Sequence, residues 1–167
     1  MTTRSWIDKL FACHPGQRTN RRGPRRVRLG LEALEDRRVP STFTVNNLLD
    51  DGSVGSLRWA VGQANSSLGD NTINFDKTVF KTPQTITLSG SQLELTDTTG
   101  TETITGPAVG VTLSGNNASR VFQIDGGVTS SISGLTISGG KTTGNGGGLT
   151  NYGGTLTLTN CTVSVPP

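Results

Sequence analysis

The sequence is short of the groups from which compact cores and most active sites are built. Of its 167 residues 31% are apolar and 5% aromatic, too little apolar side chain for a large compact core. There is one histidine, His14, and there are two cysteines, Cys13 and Cys161. With no histidine after residue 14, a Ser-His-Asp set has no place in the body of the chain. The cysteines give neither a disulfide framework nor a Cys-x-x-Cys metal site. No window reaches the run of about 18 apolar residues that spans a bilayer. Nor does an apolar stretch of about 7–15 residues follow the early positive charges, as a secretory signal requires. Leu10-Phe11-Ala12-Cys13 looks like a lipoprotein cleavage box, but Asp8 and Lys9 stand where its apolar segment belongs. Arg21-Arg22 and Arg25-Arg26 lack the hydrophobic stretch of a twin-arginine signal.

What is abundant is glycine, 23 residues of it, together with Thr, Ser and Asn. That mixture favours turns and short strands. The net charge of +3 divides unevenly: residues 1–40 carry ten Lys/Arg and four Asp/Glu, residues 41–167 five and eight. The basic excess therefore belongs to the first forty residues. NRRGPRRVR (20–28) has the charge for phosphate contacts, but no interleaved aromatic residues and no reading motif. It reads as a solvated, disordered tail, and no nucleic-acid partner is expected. GLEALEDRRVPS (30–41) resembles the Leu-Glu-x-Leu-Glu-x-Arg-x-x-x-Pro element near the N-termini of large surface or exported proteins of planctomycete bacteria. The resemblance implies that residues 1–40 are an address or processing segment.

Residues 41–80 read as strand, helix, strand. Thr42-Phe43-Thr44-Val45 alternates as a strand does. Ser56 suits a helix N-cap, and Leu57, Ala60, Val61 and Ala64 then form one apolar stripe, predicting a helix over 57–65. Thr72-Ile73-Asn74-Phe75 is the next strand. Such a block covers the open end of a strand stack, where unpaired backbone groups would otherwise invite aggregation. TFTVNNLLDDGSVGSLRWAVGQAN resembles the opening of right-handed β-helix domains of the pectate-lyase-like superfamily, with Asp51, Gly52, Gly55, Ser56, Leu57 and Arg58 as the matching residues.

The remainder, 81–167, repeats. Ile86 and Leu88 recur as Val111 and Leu113, 25 residues on. Val111 recurs as Ile137 and then Val163, Leu135 as Cys161, and Ile132 as Leu158, each 26 residues on. Thr and Ser alternate with these apolar slots, and Gly- and Asn-rich turns separate them. A fixed period of this size is the signature of a solenoid, whose coils stack about 4.8 Å apart. The expected fold is all-β: a right-handed single-stranded parallel β-helix with a short N-terminal α-helical cap. Three to four coils should lie in 81–167. A two-sheet sandwich ranks second. GGLTNYGGTLTLTNCTVS resembles the repeat of large bacterial β-helix surface proteins. Against that pattern the chain looks C-terminally incomplete, since VSVPP stops strand pairing; a bare final coil would favour self-association.

Catalytic, cofactor-binding and metal-binding residues are all read as none. The carboxylates of the body (Asp50, Asp51, Asp70, Asp76, Glu94, Asp97, Glu102, Asp125) are scattered and do not recur at the repeat, whereas Ca2+ takes about six to eight oxygens. Asp97 with Glu102, and Arg120 with Asp125, read as solvated turn or surface pairs. Cys161 reads as a small buried hydrophobe. Trp59 and Tyr152 could stack on sugars, but packing or simple exposure explains them. Asn65, Asn117 and Asn160 begin Asn-x-Ser/Thr sequons of the kind Ser/Thr-rich chains produce by chance. The glycines of GNGGGLTNYGG supply turns, not a phosphate cradle. The expectation is a non-catalytic extracellular or cell-surface module with a structural or adhesive role. Its expected partners are surface polysaccharide or other cell-envelope components. A carbohydrate-active enzyme of polysaccharide-lyase type, or a remnant of one, is the alternative; it rests on fold resemblance, and fold does not imply function.

Overall fold

The structure is a computed structural model and describes residues 40–164. The basic segment with Cys13 and His14, all but the last two residues of the 30–41 element, and the final Val-Pro-Pro lie outside the described residues. The elements run β1 (Ser41–Val45), α1 (Leu57–Ser66), β2 (Asn71–Phe75), β3 (Gln84–Thr87), β4 (Leu93–Leu95), β5 (Thr101–Thr105) and β6 (Val111–Ser114). They continue with β7 (Phe122–Ile124), β8 (Thr129–Ser133), β9 (Leu135–Ser138), β10 (Leu149–Asn151), β11 (Thr155–Thr159) and β12 (Thr162–Val163).

The strands form three parallel sheets. Sheet A has the order β1-β2-β5-β8-β11, sheet B β12-β9-β6-β3 and sheet C β10-β7-β4. From β2 onward successive strands of the chain visit A, B and C in turn, so the backbone winds as a three-faced solenoid. Every pairing is parallel, which excludes the antiparallel sandwich. The expected parallel β-solenoid with a helical cap is what forms. The strands of the 41–80 block are themselves the first two strands of sheet A.

Alternation explains the interior. Ile73, Ile104 and Ile132 stack in register along sheet A, Ile86, Leu113 and Ile137 along sheet B, and Leu93 with Phe122 along sheet C. All are fully or almost fully buried. The helix lies over the first coil and packs against β1, β2 and β4, burying Leu57, Ala60, Val61 and Ala64. Ser56 caps it: its hydroxyl accepts from the Trp59 N–H at 3.1 Å.

One part of the expected repeat needs correction. Ile86 is paired with Leu113, not Val111, and Leu113 with Ile137. The early steps are therefore off by two residues. A shift of two leaves every side chain on the same face of a strand, so the apolar pattern alone could not tell the registers apart. The cause is that the corners are not constant, least of all the A-to-B corner. It spans 76–83, then 106–110, then Gly134 alone, then 160–161. Gly134 turns the chain with a φ of 67°, a conformation that L side chains rarely adopt. The later pairs Ile132 with Leu158 and Ile137 with Val163 fall where the 26-residue step places them.

In the glycine-rich corner between β9 and β10, a Cβ on Gly140 would fall against the Gly147 carbonyl and the Gly148 backbone. Gly140→Ala is therefore expected to lower stability by about 1–3 kcal/mol, the range for overpacking a tight site. Urea denaturation checks this, and an unchanged midpoint would mean that the corner yields freely.

Candidate functional surfaces

The outward faces follow from the same alternation. On sheet A, Thr42, Thr72, Thr103, Ser131 and Thr157 form one column across the strands. Thr44, Asn74, Thr105, Ser133 and Thr159 form the next. On sheet B the columns are Thr85, Thr112, Thr136, Thr162 and Thr87, Ser114, Ser138. Rows are about 4.8 Å apart and columns about 6.7 Å, twice the rise per residue. Two sides of the solenoid thus present uncharged, hydroxyl-rich lattices.

A groove of about 640 Å3 adjoins sheet A at the corner into sheet B. It is lined by Asn74, Phe75, Lys77, Phe80, Lys81, Thr105, Pro107, Ala108 and Val109. Asn74 and Thr105 belong to a hydroxyl-bearing column, so the groove continues that face. Phe75 and Phe80 stack edge to face in its floor, with centroids 5.0 Å apart. It exists here because the corners 76–83 and 106–110 are the long ones.

Sheet C differs. Its outward column is Glu94, Gln123 and Thr150, and its side chains are tied together. Arg120 donates to the carbonyls of Gly146 (2.8 Å) and Asn145 (3.1 Å) and to the side-chain oxygens of Gln92 (3.0 Å) and Gln123 (3.1 Å). Its guanidinium lies 5.9 Å from the centroid of the exposed Tyr152 ring. Gln123 donates to Asp125 at 2.8 Å. Arg120 and Asp125 are therefore joined through Gln123 and not as a direct pair, and Arg120 is buried; the expected surface pair is corrected. A polar hollow of about 500 Å3 at the B-to-C corner is lined by Gly90, Ser91, Gln92, Glu94, Ala118, Ser119, Arg120, Lys141, Thr142 and Thr143.

The second corrected pair is Asp97 and Glu102. Both are buried, not solvated: Asp97 is 6% exposed and Glu102 1%. Glu102 sits in register between Asn71 of β2 and Ser130 of β8, 1% and 2% exposed. Asn71 Nδ2 donates to the carbonyls of Ala64, Ser67 and Gly69 at 3.0–3.1 Å and reaches Asp97 Oδ2 at 3.4 Å. Asn71 Oδ1, both Glu102 carboxyl oxygens and Ser130 Oγ have no hydrogen-bonding partner among the described residues. Burial, and then the Asp97 carboxylate, raise the Glu102 pKa to about 7. The Asp97 N–H, which faces the Glu102 carboxylate, offsets part of this. The signal was present in the sequence: 71, 102 and 130 share the alternation of Ile73, Ile104 and Ile132, so polar residues occupy inward slots.

Asp50 also went unread. Its carboxylate takes two bonds from Arg58, Nε and Nη2, both at 2.9 Å, and accepts from the N–H (2.7 Å) and hydroxyl (2.9 Å) of Ser89. Arg58 also donates to the carbonyls of Ser91 (2.7 Å) and Gln92 (3.0 Å). Arg58 of the resemblance to β-helix openings is thus the tie between cap and first coil. The Ser53 side chain, and then the Ser53 N–H that Asp51 accepts at 2.9 Å, hold the Asp51 carboxyl below the usual range.

The remaining singled-out residues have structural roles. Trp59 is half-buried and meets Phe43 edge to face at 6.1 Å. Asn65 donates to the Glu94 carbonyl (2.8 Å) and accepts from the Thr96 N–H (2.9 Å), joining helix to β4. Asn117 and Asn160 hold left-handed turns, with φ of 54° and 52°. Cys161 is free and only partly buried, packed against the core. Among the described residues there is no group of three or more His, Cys, Asp or Glu side chains able to hold a metal, and no helix is long and apolar enough to cross a membrane. Comparisons with protein-family models, with curated proteins and with solved structures found no match.

Proposed function

We propose that the chain is a non-catalytic extracellular or cell-surface module with a structural and adhesive role, its partner being surface polysaccharide. The observation that carries this reading is the pair of hydroxyl-bearing lattices on sheets A and B. Hydroxyl groups at fixed spacing hydrogen-bond a polymer that is itself studded with hydroxyls. A stacked parallel sheet holds them still, so little side-chain freedom is lost on contact. The groove beside sheet A adds an apolar floor against which the C–H face of a sugar ring can rest. The address-like element at residues 30–41 supports a place outside the cell.

The test is co-sedimentation of the full chain with insoluble cell-wall polysaccharides, beside a Ser131→Lys variant. Ser131 lies mid-column, so a lysine there disrupts the lattice without touching the interior. Retention of the native chain should fall by about tenfold in the variant, equivalent to about 1.4 kcal/mol. No retention of the native chain, or equal retention of both, would sink the reading.

The hollow on the sheet C side favours a second reading, a carbohydrate-active enzyme. Glu94, Arg120 and Lys141 line one concave, polar surface there, and concave sites with converging polar groups are where substrates bind. New reducing ends released from acidic polysaccharides, and lost in Glu94→Gln, would establish it over the first.

A further inference from the structure

We propose that the outer face of sheet A binds ice, its hydroxyl array on β5, β8 and β11 adsorbing to the lattice of a growing crystal. β5 and β11 each point three threonines outward, at every second position from Thr101 and from Thr155. Between them β8 points Thr129, Ser131 and Ser133 outward. Direct register sets these side chains in a three-by-three array. All are at least partly exposed and none is charged. Among the described residues only Ser133 spends its hydroxyl on the protein, donating to the Ile104 carbonyl at 3.5 Å.

The first ground is spacing. Water in ice has four tetrahedral neighbours at about 2.75 Å. Tetrahedral geometry then repeats like positions at about 4.5 Å within a layer and about 7.3 Å along the perpendicular axis. The array repeats at about 4.8 Å between rows and about 6.7 Å between columns. From Ser131 at its centre every hydroxyl is at most one step away in each direction, so the misfit does not accumulate. The second ground is rigidity: threonine is stiff at χ1, and β5 and β8 are paired on both sides. The third is charge. A lattice of water molecules is neutral, and the array carries no strongly hydrated ammonium to disturb it. The sheet face measures about 13 by 19 Å, about a third of the roughly 800 Å2 that each partner of a stable dimer buries, so a second copy fits it poorly. Sheet B is a weaker candidate: it has two such columns, and Ser114 Oγ there accepts from the Asn116 N–H at 3.2 Å. Ice binding needs the array and no polysaccharide, so it stands or falls separately from the adhesive reading.

The experiment holds a single ice crystal in a solution of the full chain, free of polysaccharide, and lowers the temperature under a microscope. The native chain should give faceted crystals and a gap between the melting and growth temperatures that serum albumin at equal mass concentration does not give. Thr103→Lys and Thr157→Lys, each placing a hydrated charge on the array, should lose most of that gap. Thr136→Lys, on sheet B, should keep it. Far-UV circular dichroism checks that each variant retains the native β-type spectrum, and Thr157, the more exposed of the two, serves if Thr103→Lys fails to fold. Round crystals that grow without a gap in the native chain overturn the proposal. So does a gap that survives in the sheet A variants, or one that Thr136→Lys removes to the same extent.

Discussion

Asp50→Ala is expected to lose about 3 kcal/mol of stability and to release the helical cap before the coils unwind. The carboxylate has 3% of its side-chain surface exposed, against 25% for Arg58. Deleting it leaves a bidentate guanidinium without its anion and the N–H of Ser89 without an acceptor, while the Ser89 hydroxyl keeps only the Asp50 carbonyl at 3.3 Å. Breaking a buried pair costs about 3–5 kcal/mol. Arg58 is partly solvated and keeps the carbonyls of Ser91 and Gln92, which places the loss at the lower end. Asp50→Asn should cost less, since the amide oxygen still accepts from Ser89. Because contacts in a solenoid are between neighbours, the damage should stay local. Hydrogen exchange should therefore rise over 47–66 while Phe122 and Ile124 stay protected. Uniform loss of protection would show instead that the cap and the coils melt as one unit.

The second large effect is a fall of stability with rising pH, read from urea midpoints. Glu102 has its folded pKa raised to about 7 from the ordinary value of 4.5. The folded state therefore keeps a proton that the unfolded chain has already released. The stability this gives is complete below the ordinary value, declines as pH rises toward 7 and is gone above it. The loss amounts to about 3 kcal/mol at most. Asp97 is the acidic group facing Glu102. Asp51 and Asp76 act in the opposite sense: hydrogen bonds from Ser53 and Thr78 lower their pKa values. Their contribution is lost only in stronger acid, so it leaves the window from about pH 5 to 8 clear. Glu102→Gln should flatten the native slope there and make the chain the more stable of the two at pH 8. A native chain whose urea midpoint holds constant from pH 5 to 8 would mean that Glu102 is solvated.

The solenoid was legible because its interior is built from alternation, and alternation survives in sequence. Ile132 and Leu158, or Ile137 and Val163, announce the stack without any structure. Ser56 and the stripe Leu57, Ala60, Val61, Ala64 announced the cap, and the helix ends within a residue of the expected place. Register in the early coils was not legible, because pairing depends on corner length and a slip of two residues preserves the pattern. Charged groups were harder still. Asp97 and Glu102 looked like turn residues, since polar type was weighed ahead of the inward parity of position 102. Asp50 and Ser89 meet across 39 residues of chain, and no local rule reaches that far. The hydroxyl lattices lie between these cases: the threonines are plain in the sequence, but their columns follow only from register.

The A-to-B corner shortens along the axis, from 76–83 to a lone glycine at 134, while the sheets on either side stay stacked. Corner length and cross-section are therefore independent quantities in this chain. A foreign peptide spliced into the 106–110 corner would project sideways and leave the hydrogen-bonded ladders as they are. Two grafts at the same corner of adjacent coils would be held about 4.8 Å apart. The molecule is thus a display frame, in which what is shown can be exchanged without rebuilding what carries it.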